Sequence, residues 1–199
     1  ASKLTANIQI LSSFNGFAVS CANAKDGSAR ATGANGGGAP TYVYEWSLNG
    51  NLVASSSVLN NAGVGNYIVR ITDGLGCSVE EEVEFKAPEA LDVSAFITDV
   101  SCIGSRDGEL AAEVEGGLAG GKFTYAWSNG RSTPRITGLS KGAYAITITD
   151  KNNCTVTKSF EVKEPTAITV QIQSINATEG CNGQVLALAK GGVKPYTYR

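Results

Sequence analysis

The sequence predicts an all-β chain of tandem immunoglobulin/fibronectin-III-like Greek-key sandwiches in an extended array. Three observations carry the prediction. An ordered set of motifs recurs along the chain, as in repeat architectures. Val, Ile, Thr and Tyr stand in short alternating runs, as half-buried strands require, with turn residues breaking the runs roughly every 8–12 positions. Charged residues are only 17% of the 199 positions and Gly supplies 24 of them, whereas helix-rich globular chains carry more charge and less Gly.

The repeat is read from its offsets. Cys21, Asp26-Gly27 and Tyr44-Glu-Trp46-Ser47 return as Cys102, Asp107-Gly108 and Tyr125-Ala-Trp127-Ser128, displaced by 81 (102 − 21 and 127 − 46). Gly65-Asn-Tyr67, Thr72-Asp73, Cys77 and Pro88 return as Gly142-Ala-Tyr144, Thr149-Asp150, Cys154 and Pro165, displaced by 77 (154 − 77). The change falls between Trp46 and Tyr67, where copy one has the longer loop, Leu48 to Gly65. A third copy opens after Pro165: Ile168–Ile172 matches Leu91–Ala95, and Gly191-Gly192 precedes Tyr196-Thr-Tyr198. The boundaries are therefore 1–88, with 1–8 as lead-in from a preceding segment, then 89–165, and an incomplete copy 166–199.

Copy two shows the strands in order. Leu91, Val93, Ala95 and Ile97 alternate with polar residues in a first strand. After a turn over 104–108, Glu109–Val114 makes a second, closed by Gly116-Gly117. Phe123–Trp127 is a third and Asn129-Gly130 a turn. A short strand follows around Ser132–Ile136, then one carrying Tyr144, Ile146 and Ile148. Lys151–Asn153 turns into the last, where Val156, Phe160 and Val162 line one face. Leu139-x-x-Gly142-x-Tyr144 has the form of a tyrosine corner, whose hydroxyl bonds back to the preceding loop. One Trp per copy at the same strand position reads as core rather than as a sugar-stacking platform, so Trp46, Tyr67, Trp127 and Tyr144 are the structural core.

Several functions are excluded or disfavoured. Net charge is −2, without the basic clusters that nucleic acid requires. No apolar run reaches the roughly 20 residues of a membrane span. No signal peptide is visible and Met is absent, so the chain reads as an internal fragment. With no His, the commonest general base and metal ligand is missing. None of the five Cys stands in a CxxC pair, which removes zinc ribbons. The polar residues that stand out recur at turns rather than converging in a cleft, so no catalytic residue and no enzyme is expected. The Gly runs 36–38 and 116–121 lack the Lys-Ser/Thr of a phosphate cradle.

The full pattern resembles the SprB-type repeat of Bacteroidetes surface proteins. Copy two carries Val100-Ser101-Cys102, Asp107-Gly108, Trp127-Ser128-Asn129-Gly130, Thr149-Asp150, Cys154 and Glu164-Pro165, and copy three carries Pro195-Tyr196-Thr197-Tyr198. Lys122-Phe123 departs from the family's Pro-Tyr, and Asn153 from its Gly before Cys. The resemblance implies an extracellular place on a bacterial cell surface, in large adhesins exported by type 9 secretion and used in adhesion and gliding. It implies neighbouring repeats as partners, with surface polysaccharide or secretion-machinery proteins as others. A polysaccharide-binding module is the competing function.

Export permits disulfides. One pairing is Cys21–Cys77 and Cys102–Cys154, within copies. Fibronectin-like topology opposes it: the two turns lie at opposite ends of the sandwich, about 20 Å apart on a six-residue strand. A disulfide spans Cα atoms no more than about 7 Å apart. End to end, one module's upper turn meets the next module's lower turn, and Cys21–Cys154 becomes the pairing, with Cys181 seeking a partner outside the fragment. Buried thiols are the third possibility. Asp26 and Asp150, with Glu164 or Glu89 near the linkers, are weak calcium candidates, although Asp-Gly and Thr-Asp are also ordinary turn chemistry. Otherwise no cofactor is expected. The linkers Lys86–Glu89 and Lys163–Thr166 are short and contain Pro, which predicts a semi-rigid array.

Overall fold

The computed structural model describes residues 3–34, 41–118, 122–176, 180 and 183–199. Cys181, Gly36–Gly38 and residues 119–121 of the Gly run lie outside them. The described secondary structure is entirely β, and the chain divides into two compact units. One comprises Ala1–Asp92 with Glu115–Thr124 and Thr149–Val156; the other comprises Val93–Val114, Tyr125–Ile148 and Thr157–Arg199.

Within the first unit, β1 (Thr5–Ile10), β2 (Gly27–Ala34) and β5 (Val58–Ala62) form a sheet in the order β1-β2-β5. The second sheet is β4-β3-β6-β7, from β3 (Val43–Leu48), β4 (Asn51–Ala54), β6 (Gly65–Thr72) and β7 (Ser78–Phe85). The period of two places the core: along β6, Tyr67, Val69 and Ile71 are buried while Asn66, Ile68 and Arg70 face solvent. Trp46, Val69, Ile71 and Phe85 have no exposed surface. Each large apolar side chain so removed from water stabilises the sandwich by about 1.5–3 kcal/mol. The edge strand β7 presents Glu80, Glu81, Glu82 and Glu84 to solvent, and charge on an edge discourages pairing with another chain.

Two expectations about copy one need correction. Residues 5–8 are not lead-in: they belong to β1, registered Thr5↔Ala34 to Ile10↔Ala29, because Ala6 and Ile8 alternate into the core. The longer stretch Leu48 to Gly65 is mostly strand. Asn49-Gly50 turns β3 into β4, which copy two lacks among its described residues, and β5 follows.

Copy two begins with β8 (Glu89–Thr98), then β9 (Gly108–Gly117), β10 (Thr124–Trp127), β11 (Arg135–Leu139), β12 (Gly142–Thr149) and β13 (Thr155–Val162). Its sheets run β11-β9-β8 and β10-β12-β13, the arrangement of copy one without β4. The strand expected around Ser132–Ile136 starts later, at Arg135. Pro134 precedes it and has no N–H for a ladder, though its carbonyl accepts from Ala112 N at 2.8 Å. Val93, Leu110, Ile136, Ile146 and Val162 are buried in the second unit. There too β14 (Thr169–Ile175) and β15 (Gln184–Lys190) form a two-stranded hairpin, every residue of β14 exposed.

Candidate functional site at the Cys21–Cys154 turn pair

Two local structures, each built twice, make up the site. The first is the turn holding Cys21. Ala18 N and Val19 N donate to Lys86 O at 3.1 and 3.0 Å, which ties the turn to the linker. Ser20 N donates to Asp26 Oδ1 at 3.0 Å, and Ala24 N closes the turn on Cys21 O at 2.9 Å. The next residue is Gly for lack of room: a Cβ on Gly27 would stand 2.6 Å from Phe85 Cδ1 and 2.8 Å from Ala62 O. Copy two rebuilds most of this. Val100 N donates to Lys163 O, Ser105 N to Cys102 O and Ser101 N to Asp107 Oδ1. A Cβ on Gly108 would meet Val162 Cγ1 at 2.8 Å and Leu139 O at 3.0 Å. The Asp-Gly pair is thus a cap followed by a close approach. The Ser101 hydrogen bonds hold the Asp107 carboxyl below its ordinary 3.8.

The second local structure is the turn after the strand with Tyr67 or Tyr144. Asp150 Oδ1 accepts from Asn152 N at 2.8 Å and Cys154 N at 2.9 Å, and its Oδ2 accepts from Leu118 N at 3.1 Å. Asp73 Oδ1 accepts from Leu75 N and Cys77 N, both at 2.9 Å. Asp73 and Asp150 are both buried.

In the first unit the two structures meet. Cys21 and Cys154 form a disulfide with Cα atoms 5.7 Å apart. Asn152 reinforces it, its Nδ2 donating to Ser20 O at 3.0 Å while its Oδ1 accepts from Asn15 Nδ2. Cys77 and Cys102 are free and exposed, so neither bridge of the within-copy pairing is present.

The carboxylates weighed for calcium are engaged by protein donors. Asp26 accepts from Ser20 N and Asp150 from three backbone N–H groups. Glu164 pairs with Lys141 and accepts from Gly104 N; the Lys141 ammonium lowers its pKa from the ordinary 4.5. Among the described residues no three His, Cys, Asp or Glu gather as for a metal. Glu89 is exposed and lines a hollow beside Cys21.

Both tryptophans are buried, Trp46 completely and Trp127 at 4% exposure. Their Nε1 groups donate to Ser56 O at 3.0 Å and Thr133 O at 2.9 Å, as a buried indole requires. The tyrosine corners close over four residues: Gly63 N donates to Tyr67 Oη at 3.1 Å, and Tyr144 Oη donates to Ser140 O at 2.9 Å. Tyr67 is buried and Tyr144 half-buried.

The SprB repeat family matches residues 94–132. This stretch is a SprB-type repeat. The match takes in Cys102, Asp107-Gly108 and Trp127 of the SprB-type pattern, which are the turn, the cap and the core residue just described. No curated protein matches the chain in sequence. Solved structures with a similar architecture include the three N-terminal domains of the highly immunogenic outer capsid protein of bacteriophage RB49. Identity there is 18% and the TM-score 0.45, over 98% of this chain and 71% of that one. The fibronectin(III)-like modules of Clostridium thermocellum CbhA are 16% identical, with a TM-score of 0.31, over 79% of this chain and 94% of theirs. The mouse nectin-like molecule 4 ectodomain is 10% identical, with a TM-score of 0.39, over 81% and 64%.

Proposed function

We propose that the chain is a scaffold segment of a bacterial cell-surface adhesin, a repeat array displayed outside the cell and serving adhesion and gliding. One observation carries the reading. The side chains that recur between the copies serve the repeat itself: the tryptophans fill cores, the tyrosines lock loops, and Asp26, Asp107, Asp73 and Asp150 cap turns. A disulfide linking turns of two copies supports an oxidising, exported setting and a load-bearing role. Export by type 9 secretion and contact with its machinery belong to the same proposal, as do neighbouring repeats as partners. No described helix is long and apolar enough to cross a membrane.

The test is display. Antibodies against the chain label intact cells of its source, and external protease removes the label. Labelling only after permeabilisation would overturn the reading.

A second reading, a polysaccharide-binding module, is favoured by a hollow of about 590 Å³ in copy one, bordered by Lys25, Leu48, Val53, Asn60 and Val64. Binding on a glycan array that is lost in Asn60→Ala and Val53→Ala variants would establish it.

A further inference from the structure

The first unit shows a seat with its occupant, and the second shows an equivalent seat that no turn among the described residues enters. At the occupied seat, Cys21 receives the turn Asp150–Cys154. The seat's other parts are Ala22, Leu91 and the Gly116-Gly117-Leu118 bend, whose Leu118 N–H donates to Asp150 Oδ2. At the second, Cys102 stands for Cys21, Ile103 for Ala22 and Ile168 for Leu91; Gly191-Gly192-Val193 stands for the bend. The backbone match is close. A Cβ on Gly116 would strike Ala90 O and one on Gly191 would strike Ala167 O; a Cβ on Gly117 would meet Leu91, and one on Gly192 Ile168. All four glycines have positive φ, between 59° and 79°, where a side chain is strained in any case.

Burial separates the two. Cys21, Ala22, Leu91 and Leu118 are half-buried and Ser20 is buried. Ser101 and Cys102 are exposed, with Ile103 at 54%, Ile168 at 61% and Val193 at 63%. Together with Pro165 and Thr166 they line a hollow of about 360 Å³. An apolar hollow beside an exposed thiol, flanked by a Gly-Gly bend of the same backbone form as the one that holds Asp150, is what the occupied seat becomes once its turn is removed.

We propose that the Cys102 face is a second docking seat, taken by an Asp-x-x-x-Cys turn of the repeat to which β14 and β15 belong. The turn's Asp accepts from Val193 N–H, and its Cys closes a disulfide on Cys102. Two thiols are oxidised, their two electrons and two protons passing to an exchanging disulfide that leaves as two thiols. The same rule makes Cys77, in its own Asp73-x-x-x-Cys77 turn, the donor to a seat of the Cys21 type. The inference deepens the array reading and rests on it: each junction would carry one staple.

The test extends the full chain. Residues 127–165 carrying Thr155→Ser are appended after Arg199, which supplies the remaining strands and an Asp-x-x-x-Cys turn whose peptide differs in mass from that of Cys154, and disulfides are mapped without reduction. The expected result is a link between Cys102 and the appended Cys, alongside Cys21–Cys154. With Cys21–Cys154 formed and Cys102 still alkylated, the proposal is overturned. If the extended chain lacks Cys21–Cys154, a peptide of residues 148–157 in glutathione buffer decides on the unextended chain. It should form a mixed disulfide at Cys102 about tenfold over Cys77, the worth of one charge-assisted hydrogen bond, and lose that preference when its Asp is Asn. Equal reaction at both cysteines would overturn the seat. Neither negative result touches surface display, which the antibody experiment reads separately.

Discussion

Removing the Cys21–Cys154 bridge should cost copy one most of its stability. The disulfide spans a sequence separation of 133. When the whole chain unfolds, closing a loop of that length removes about 5 kcal/mol of unfolded-state entropy. When copy one unfolds alone, copy two holds the far end near Pro88, the loop shrinks to roughly 70 residues, and the same relation gives about 4 kcal/mol. The native side changes little, because Asn152 still donates to Ser20 O and Asp150 still caps its turn. The perturbation is Cys21→Ala with Cys154→Ala, in a Trp127→Phe background so that Trp46 alone reports. Urea unfolding followed by Trp46 fluorescence should shift its midpoint down by about 3 M, taking a slope of about 1.3 kcal/mol/M for a domain of this size. A shift below about 0.5 M would refute the reasoning: it would mean that the bridge does not constrain the unfolded chain.

Other substitutions test the packing and the turns. Gly27→Ala and Gly108→Ala should each destabilise their sandwich by about 1–3 kcal/mol, since the new Cβ meets backbone carbonyls as well as side chains; urea midpoints measure this. Tyr144→Phe, which removes the hydrogen bond to Ser140 O, should cost about 1 kcal/mol by the same assay. Trp46→Phe should cost about 1–3 kcal/mol and leave Ser56 O without its indole donor. On acidification, Asp107 and Glu164 set a slope. Ser101 and Lys141 hold their folded pKa values below 3.8 and 4.5, so the unfolded chain takes up protons first as pH falls. Their stabilisation is complete above those ordinary values and is lost as pH drops through the folded ones. The melting temperature of copy two should therefore stay level down to about pH 5 and then decline, less steeply in Asp107→Asn with Glu164→Gln.

Much of the fold was legible because two periodicities overlap in the sequence. Alternation within a strand separates the buried Ile146 and Ile148 from the half-buried Thr147 and Thr149. Recurrence between copies identifies Trp46 with Trp127, so one position's burial argues for the other's. Legibility failed where local pattern underdetermines pairing. Residues 5–8 alternate weakly, and only the register with β2 shows that they complete the sheet. The start of β11 depends on Pro134, whose missing N–H rejects a ladder position that Ser132 and Thr133 would otherwise suit. Of the candidate site, Asp-Gly read as a turn, but close approach at Gly27 and Gly108 is a tertiary fact with no local signal. The use of Asp150 Oδ2 by Leu118 N–H was equally hidden, because it joins segments 32 residues apart. A clue to the Gly-Gly bend was present in its recurrence, since Gly116-Gly117 stands 28 residues after Pro88 and Gly191-Gly192 stands 26 after Pro165 (116 − 88 and 191 − 165).

The measurement that tests the stapled-repeat account most directly is non-reducing peptide mapping of the chain after alkylation of free thiols. The account predicts a Cys21–Cys154 peptide pair, with Cys77 and Cys102 recovered alkylated. Recovery of Cys21–Cys77 and Cys102–Cys154 pairs instead would contradict it, and the strand order from which the junction follows would fall with it.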